Sequence, residues 1–217
     1  MKVTIHQPDF LPWIGFFHRW AQSDLYIILD DVQFIDDGWQ HRDKINTPNG
    51  VIWLTVPVIK KGMGPQLIKD VKINHTQNWQ RKHLATIKQS YGKSLNFDHY
   101  FDKLKEIYDK NHKYLIDLNI DLLELAAKEL GITVPKVFSS EYKTQTKGTQ
   151  RLVDLVIAVG GTTYITGTGS KDYLQTELFE QENISVVFQR IEDIKSMYNV
   201  KNIDLSVLDY FFTKDEK

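Results

Sequence analysis

The stretch VTIHQPDFLPWIGFFHRWAQSDLYIILDD at residues 3–31 decides the fold. Its β-branched start at residues 3–5 predicts a strand, and a proline-punctuated loop then leads into a helix predicted at residues 13–22. The apolar run at residues 25–29 predicts a second strand, and its lack of alternation is typical of a strand buried on both faces of a parallel sheet. The stretch therefore predicts a strand–helix–strand unit of an α/β protein.

The same alternation returns in the last third of the chain. Strands are predicted at residues 134–138, 163–165 and 184–188, and helices at residues 149–159 and 171–181. Strands that alternate with helices are joined by crossovers and pair mainly in parallel. These segments thus extend the sheet that the N-terminal stretch begins.

The middle third is mostly helical. Residues 51–58 and 71–73 predict two strands, as a hairpin or an insertion, and the last helix that follows them ends at Gly131, a C-terminal cap. We therefore predict one α/β domain over residues 1–217, with a mainly parallel Rossmann-like sheet, a helical insertion over about residues 75–131 and a frayed tail at 213–217. The three helices of the insertion are predicted at residues 77–91, 97–110 and 114–130.

The amino-acid composition limits the kinds of partner that the protein can bind and the cellular compartment that it can occupy. The 27 basic and 28 acidic residues are spread along the chain, so they indicate no basic face for nucleic acid. The chain has no cysteine, which excludes disulfides, thiolate nucleophiles and cysteine-based zinc sites. Its N-terminus lacks a secretory apolar core, and no stretch approaches the ~20 apolar residues of a membrane span. We expect a cytoplasmic protein without membrane insertion.

Candidate site residues follow the predicted strands, because ligands of open parallel sheets bind beyond the carboxyl ends of the strands. His6 is suited to proton transfer or substrate orientation, with a histidine hydrogen-bonded into the fold as the alternative. Asp30 and Asp31 indicate a base, a group that positions a sugar hydroxyl, a metal ligand, or carboxylates that only satisfy a turn. The other strand-end candidates are Gln7, Gln33, Ser139, Gly167 and Gly169.

Two loops carry groups that suit a nucleotide. Trp39 offers a platform for stacking, and Arg42 a cation that matches bidentate phosphate recognition, with the His41 imidazole between them. The turn TGTGS at residues 166–170 precedes a predicted helix, so its backbone N–H groups would face a phosphate. Such a turn requires small residues and a Ser or Thr cap in any case, which is the structural alternative.

His83 lies in the predicted helix WQRKHLATIKQSY. It shares a helical face with Trp79 and Tyr91, which favours a core position over catalysis.

Several known chemistries are not indicated. The chain contains no HExxH pair, GxSxG elbow, GxxxxGK[ST] loop or GxGxxG fingerprint. Standard zinc-protease, esterase and P-loop mechanisms are therefore unsupported.

Ordered segments along nearly the whole chain resemble the WbqC-like family. Any one of them is weak, but the set in this order is specific. The segments are HQPDFLPWIGFF, DDVQF, GWQHRDKI, WLTVPV, WQRKHLATIKQSY, YITGTGSKDYL and LSVLDYFF.

The resemblance implies a bacterial protein found with genes for O-antigen, capsule and related nucleotide-sugar pathways, and it supplies no settled reaction. It also implies functional roles for family-typical positions. Those positions are His6, Gln7, Asp31, Gln33, Trp39, Arg42, His83, Tyr164, Gly167 and Gly169.

The N-terminal segment is also similar to nucleotidyltransferase and pantothenate-synthetase-like folds, in which a HxGH turn opens the first helix and binds ATP. Here Trp13-Ile14-Gly15-Phe16 stands in place of that turn. The departure argues against ATP use, and a fold by itself does not fix function.

The leading hypothesis is a transferase that moves an acyl or aminoacyl group onto the amine of a nucleotide-linked amino sugar. His6 or His83 would remove the amine proton, and Asp30 or Asp31 would orient the base or a sugar hydroxyl. Arg42 would hold the diphosphate. The alternatives are a glycosyltransferase with a cation on the two aspartates, a nucleotidyltransferase-like enzyme, and a non-catalytic binding protein of a polysaccharide assembly pathway. The sequence requires no metal or cofactor and leaves the cofactor, sugar, donor and oligomeric state open.

Overall fold

The strands form two separate sheets in the computed structural model, which describes residues 1–200 and 202–215. A parallel sheet of five strands has the order β5-β2-β1-β6-β7, and β3 and β4 form an antiparallel hairpin. The strands are β1 (Lys2–His6), β2 (Leu25–Ile28), β3 (Arg42–Thr47), β4 (Gly50–Thr55), β5 (Lys136–Phe138), β6 (Thr163–Thr166) and β7 (Ser185–Phe188).

The parallel sheet confirms the predicted mixed α/β fold, because every pairing within it is parallel. Burial of β2 explains why its sequence does not alternate. Ile27 packs into the apolar cluster on one face of the sheet, while Tyr26 and Ile28 pack into the cluster on the other face. Both faces are therefore covered, as the continuous apolar run predicts.

Helices cover the two faces of the sheet. Those of the middle third join α1 and α8 in the larger apolar cluster, and α5 and α6 contribute to the smaller one. No helix within residues 1–200 and 202–215 is long and apolar enough to cross a membrane. The helices are α1 (Ile14–Gln22), α2 (Trp79–Tyr91), α3 (Phe97–Asp109), α4 (Leu115–Glu129), α5 (Gly148–Ala158), α6 (Thr176–Gln181), α7 (Ile191–Tyr198) and α8 (Val207–Thr213).

Two local predictions are wrong. The predicted strand at residues 71–73 forms only isolated bridges, and β4 pairs instead with β3, which the sequence analysis treats as part of a loop. Charged residues interrupt β3, so it lacks the apolar pattern of a strand. The helix predicted from residue 171 begins at Thr176, because residues 168–170 form a 3-10 turn. In the predicted frayed tail, Thr213 ends α8, and residues 216 and 217 lie outside the described residues.

The strand order creates a switch point at the middle of the sheet. From β1 the chain moves outward to β2 and β5, then returns across the sheet to β6 and moves outward in the other direction to β7. The connections therefore diverge between β1 and β6. A crevice forms beyond the carboxyl ends of the strands at such a point, and ligands of open α/β sheets bind there.

The loop after β1 is tied to distant parts of the chain. Asn119 of α4 is fully buried, and its Nδ2 donates hydrogen bonds of 2.7 Å to the carbonyl oxygens of Pro8 and Gln40. The Ser206 hydroxyl, at the start of α8, donates a bond of 2.8 Å to the Leu11 carbonyl oxygen. Leu11 has a φ of 47°, a strained conformation for a branched side chain that persists only when its surroundings impose it. The helical middle third thus helps to shape this loop.

Candidate functional site

A cavity of about 390 Å³ opens at the switch point. The loop after β1 and the turn after β6 form part of its wall, and the segment entering the β3–β4 hairpin forms another part. Residues near α7 complete the wall. The lining residues are His6, Asp9, Pro12, Trp13, Trp39, Asp43, Lys44, Thr168, Ile191, Ile203 and Asp204.

His6 and Asp9 lie together on this wall. The Nδ1 atom of His6 lies 3.0 Å from the Gln7 carbonyl oxygen and 3.4 Å from Asp9 Oδ2. In the neutral ring we assign the proton to Nδ1, which leaves a lone pair on Nε2. The imidazole side chain is 38% exposed, so a ligand in the cavity can reach it.

The surroundings of this pair shift both pKa values toward the neutral forms. Desolvation raises the pKa of Asp9 to about 7, against the opposing charge of Arg19. Desolvation, followed by the charge of Arg19, lowers the pKa of His6, so the ring is uncharged at neutral pH. A carboxyl group with a pKa near 7 both accepts and donates protons readily at neutral pH. The pair is therefore suited to proton transfer.

Asp9 also has an acceptor atom that the protein does not use. Its Oδ1 is buried and accepts no hydrogen bond from any residue in ranges 1–200 and 202–215. Buried polar atoms without a partner are rare in proteins, and an exception calls for an explanation. Beside a cavity, the explanation we favour is a donor group on a ligand, such as an amine or hydroxyl.

Asp43 adds a second carboxyl group to the cavity wall. It is buried on β3, and its Oδ1 accepts a hydrogen bond of 2.6 Å from the Lys44 backbone N–H. Desolvation raises the pKa of Asp43 to about 8, and the negative charge of Asp9 contributes to the same increase. At neutral pH Asp43 is therefore mainly protonated and able to donate.

Arg19 of α1 is a buried cation next to the site. Its Nη1 donates a hydrogen bond of 3.0 Å to Gln189 Oε1, and it forms no salt bridge among the residues that the structure describes. A Cβ atom at Gly167 would lie 2.8 Å from the same Nη1. An alanine at position 167 would therefore push against the buried, hydrogen-bonded Arg19 guanidinium, whereas the backbone conformation of Gly167 itself is an ordinary one.

A face of the β3–β4 hairpin continues the cavity outward. Trp39 and Trp53 lie with their ring centroids 5.3 Å apart, and the Lys44 Nζ is 5.4 Å and 5.3 Å from the two centroids. The Arg42 guanidinium lies 4.6 Å from the Trp53 centroid. We call these four residues the tryptophan face.

The predicted aspartates lie in a separate polar cluster between β2 and β5. The Asp30 carboxylate accepts bonds from the Ser140 hydroxyl (2.7 Å) and from the Ser139 hydroxyl (3.0 Å). Asp31 forms a salt bridge of 2.6 Å with Arg151. The serine contacts join the ends of β2 and β5, and the salt bridge joins Asp31 to α5, so both aspartates fit the structural alternative. None of them lines the cavity.

The other predicted residues have mixed positions. His6 and Trp39 line the cavity, Gly167 adjoins it through Arg19, and Arg42 belongs to the tryptophan face. The remaining ones lie elsewhere. Gln7 accepts a hydrogen bond from Gln40, Gln33 is exposed and bridges Leu67, Gly169 has open space around its Cα, Tyr164 stacks on Phe179 in the core, and His83 bonds the Thr55 carbonyl oxygen among the helices.

Sequence reasoning missed Asp9, Arg19, Asp43, Lys44 and Trp53. Asp9 had a usable signal, since it follows a strand end within the same loop as His6. The other four had none, because only the fold brings α1 and the hairpin to this edge of the sheet.

The sheet and its cavity define a Rossmann-like α/β protein with a ligand-sized crevice at the switch point. The model of the WbqC-like protein family matches residues 7–217, and the chain belongs to that family. The chain is also 31% identical over 215 residues to the uncharacterized protein Rv1507c of Mycobacterium tuberculosis, covering 97% of this chain and 93% of that protein. No solved structure matches the chain.

Proposed function

We propose that the protein is a transferase of bacterial surface-polysaccharide or nucleotide-sugar biosynthesis, which moves an acyl or aminoacyl group onto the amine of a nucleotide-linked amino sugar. The observation that carries the proposal is the His6–Asp9 pair on the wall of the switch-point cavity, with its unused acceptor atom. The pathway is the one that the resemblance to the WbqC-like family implies, and the chain belongs to that family. Its substrates are then an amino-sugar nucleotide and an acyl or aminoacyl donor.

The first step uses Asp9 and His6. The substrate amine donates a hydrogen bond to the carboxylate of Asp9, which lines the cavity, and attacks the acyl carbon of the donor, which forms the new C–N bond. The ionised Asp9 then takes the amine proton. Neutral His6 adds no positive charge that would weaken this base, and its Nε2 accepts a hydrogen bond from the substrate. Asp9 thus removes the amine proton, the role that the sequence-based hypothesis gave to His6 or His83.

The second step uses Asp43. As the bond between the acyl carbon and the leaving group breaks, protonated Asp43 donates its proton to the leaving group. Asp9 is now protonated and Asp43 ionised, so proton transfer from Asp9 to Asp43 restores the starting state. Each turnover therefore moves one proton from the amine to the leaving group. A pKa of about 7 allows Asp9 to accept a proton at neutral pH, and a pKa of about 8 allows Asp43 to donate one.

The test is a transfer assay with the purified protein. Amino-sugar nucleotides are incubated with acyl and aminoacyl thioesters, and mass spectrometry detects the mass of the acyl group added to the amine. Asp9→Asn is expected to lower the rate by about 10²- to 10⁴-fold, because general acid–base catalysis contributes that much. The control is Asp102→Asn, which makes the same chemical change at an exposed position of α3.

Two outcomes would contradict the proposal. Transfer by Asp9→Asn at the wild-type rate would remove Asp9 from the chemistry. Absence of transfer with every donor, together with unchanged polysaccharide output in cells that carry Asp9→Asn, would favour the non-catalytic binding protein instead.

A further inference from the structure

Two tryptophans lie at the protein surface beside the cavity. Trp39 and Trp53 are each 44% exposed, whereas Trp20 and Trp79 are buried. Exposed aromatic side chains next to a cavity mark ligand surfaces more often than single scattered apolar residues do. The 40° tilt between the two rings leaves part of each indole open to a planar group.

Cations accompany the two rings. The Lys44 Nζ lies over the rings of both Trp39 and Trp53. Lys44 forms no salt bridge with a carboxylate in the described part of the chain. Arg42 donates to the Asp37 carbonyl oxygen at 2.9 Å, so its charge is partly engaged. Lys44 is therefore the cation of the tryptophan face that is available to an anion.

The tryptophan face and the cavity are continuous, because Trp39 and Lys44 belong to both. We propose that the tryptophan face binds a nucleoside diphosphate, with the base stacked on Trp53 and Trp39 and the diphosphate paired with Lys44. A planar aromatic group that carries a nearby negative charge matches indoles flanked by a lysine. This inference rests on the proposed function, and it assigns the nucleotide half of the substrate to the hairpin and the sugar half to the cavity.

The assignment has a consequence for specificity. Stacking on an indole tolerates every base, since each base has a π-face. We therefore expect a free nucleoside diphosphate without a sugar to bind, and uridine and guanosine diphosphates to bind with similar affinity. Discrimination between sugars then belongs to the cavity.

The experiment is isothermal titration calorimetry of the full chain with uridine diphosphate and guanosine diphosphate. Trp53→Leu is expected to weaken binding by about tenfold or more because it removes a ring on which the base stacks. Lys44→Met is expected to weaken binding to a similar extent because it removes the cation that pairs with the diphosphate. Lys82→Met is the control, because Lys82 is exposed on α2 and distant in sequence from the hairpin. Circular dichroism establishes that each variant is folded, and Trp53→Phe, which keeps a stacking ring, is expected to bind more tightly than Trp53→Leu.

The outcomes separate this inference from the proposed function. If both diphosphates bind, the two substitutions weaken binding and Lys82→Met does not, the inference stands even when no acyl transfer is found. It is overturned if neither diphosphate binds the wild-type protein. Equal affinities of the wild type and folded Trp53→Leu would also overturn it.

Discussion

Replacing Asp43 with asparagine is expected to change how the stability of the protein depends on pH. In the folded protein desolvation raises the pKa of Asp43 from 3.8 to about 8. Between these values the unfolded chain has lost the proton and the native state has kept it, so a rise in pH favours unfolding. One proton corresponds to about 1.4 kcal/mol per pH unit. From about pH 5 to about pH 7, Asp43 therefore lowers the free energy of unfolding by about 2.7 kcal/mol.

The variant lacks this contribution. We expect the difference in unfolding free energy, Asp43→Asn minus wild type, to increase by about 2.7 kcal/mol across that window. Asp9 acts with the same sign, whereas His6 and His83 have lowered pKa values and destabilise the protein as pH falls below their unfolded values. These groups are present in both proteins, so the difference isolates Asp43.

Urea unfolding followed by circular dichroism measures both free energies at each pH. Asp102→Asn, the same chemical change at an exposed position of α3, serves as the control. A constant difference for Asp43→Asn would mean that Asp43 is ionised in the native state, and it would remove the proton donor from the proposed mechanism.

Four further substitutions, the first two as a pair, test the assignment of individual residues. Gly167→Ala places a methyl group against Arg19 and should lower the free energy of unfolding by about 1–3 kcal/mol. Gly169→Ala has open space around the new methyl group and should change the free energy of unfolding by no more than about 0.5 kcal/mol. Equal melting temperatures of the two variants would contradict this contrast. His83→Leu removes the His83 partner of the Thr55 carbonyl oxygen and should lower the free energy of unfolding by about 1–3 kcal/mol, with kcat unchanged in the transfer assay. Loss of kcat in a variant that remains stable would show that His83 is catalytic. Tyr164→Phe should leave calorimetric binding of uridine diphosphate unchanged, because this ring stacks within the core; weaker binding would return it to the site.

Elements of the sheet were predictable because their patterns are local. The apolar run of β2 reports burial on both faces, and the strand ends of β1 and β6 follow from β-branched segments bounded by turn residues. β3 was not predictable, since its sequence RDKINT begins with three charged residues, and one of them, Asp43, is buried. Its strand character comes from pairing with β4 and from contacts with helices distant in the chain.

The candidate site was predictable at one wall only. His6 was found because the rule for parallel sheets assigns ligands to the residues that follow a strand. The same rule also selected Asp30, Asp31 and Ser139, whose side chains bond one another or Arg151 instead of facing the cavity. A strand end gives the position of the backbone but not the direction of the side chain or the identity of its partners.

The amino-acid sequence by itself determined the parallel α/β class, the extent of the helical middle third and the placement of His6 at a strand end, because these depend on periodicity within short windows. Only the tertiary structure decided that Asp9 and Asp43 meet at one cavity and that Arg19 lies beneath Gly167. The physical reason is that burial sets the pKa values of these groups, and burial results from packing between segments far apart in the chain.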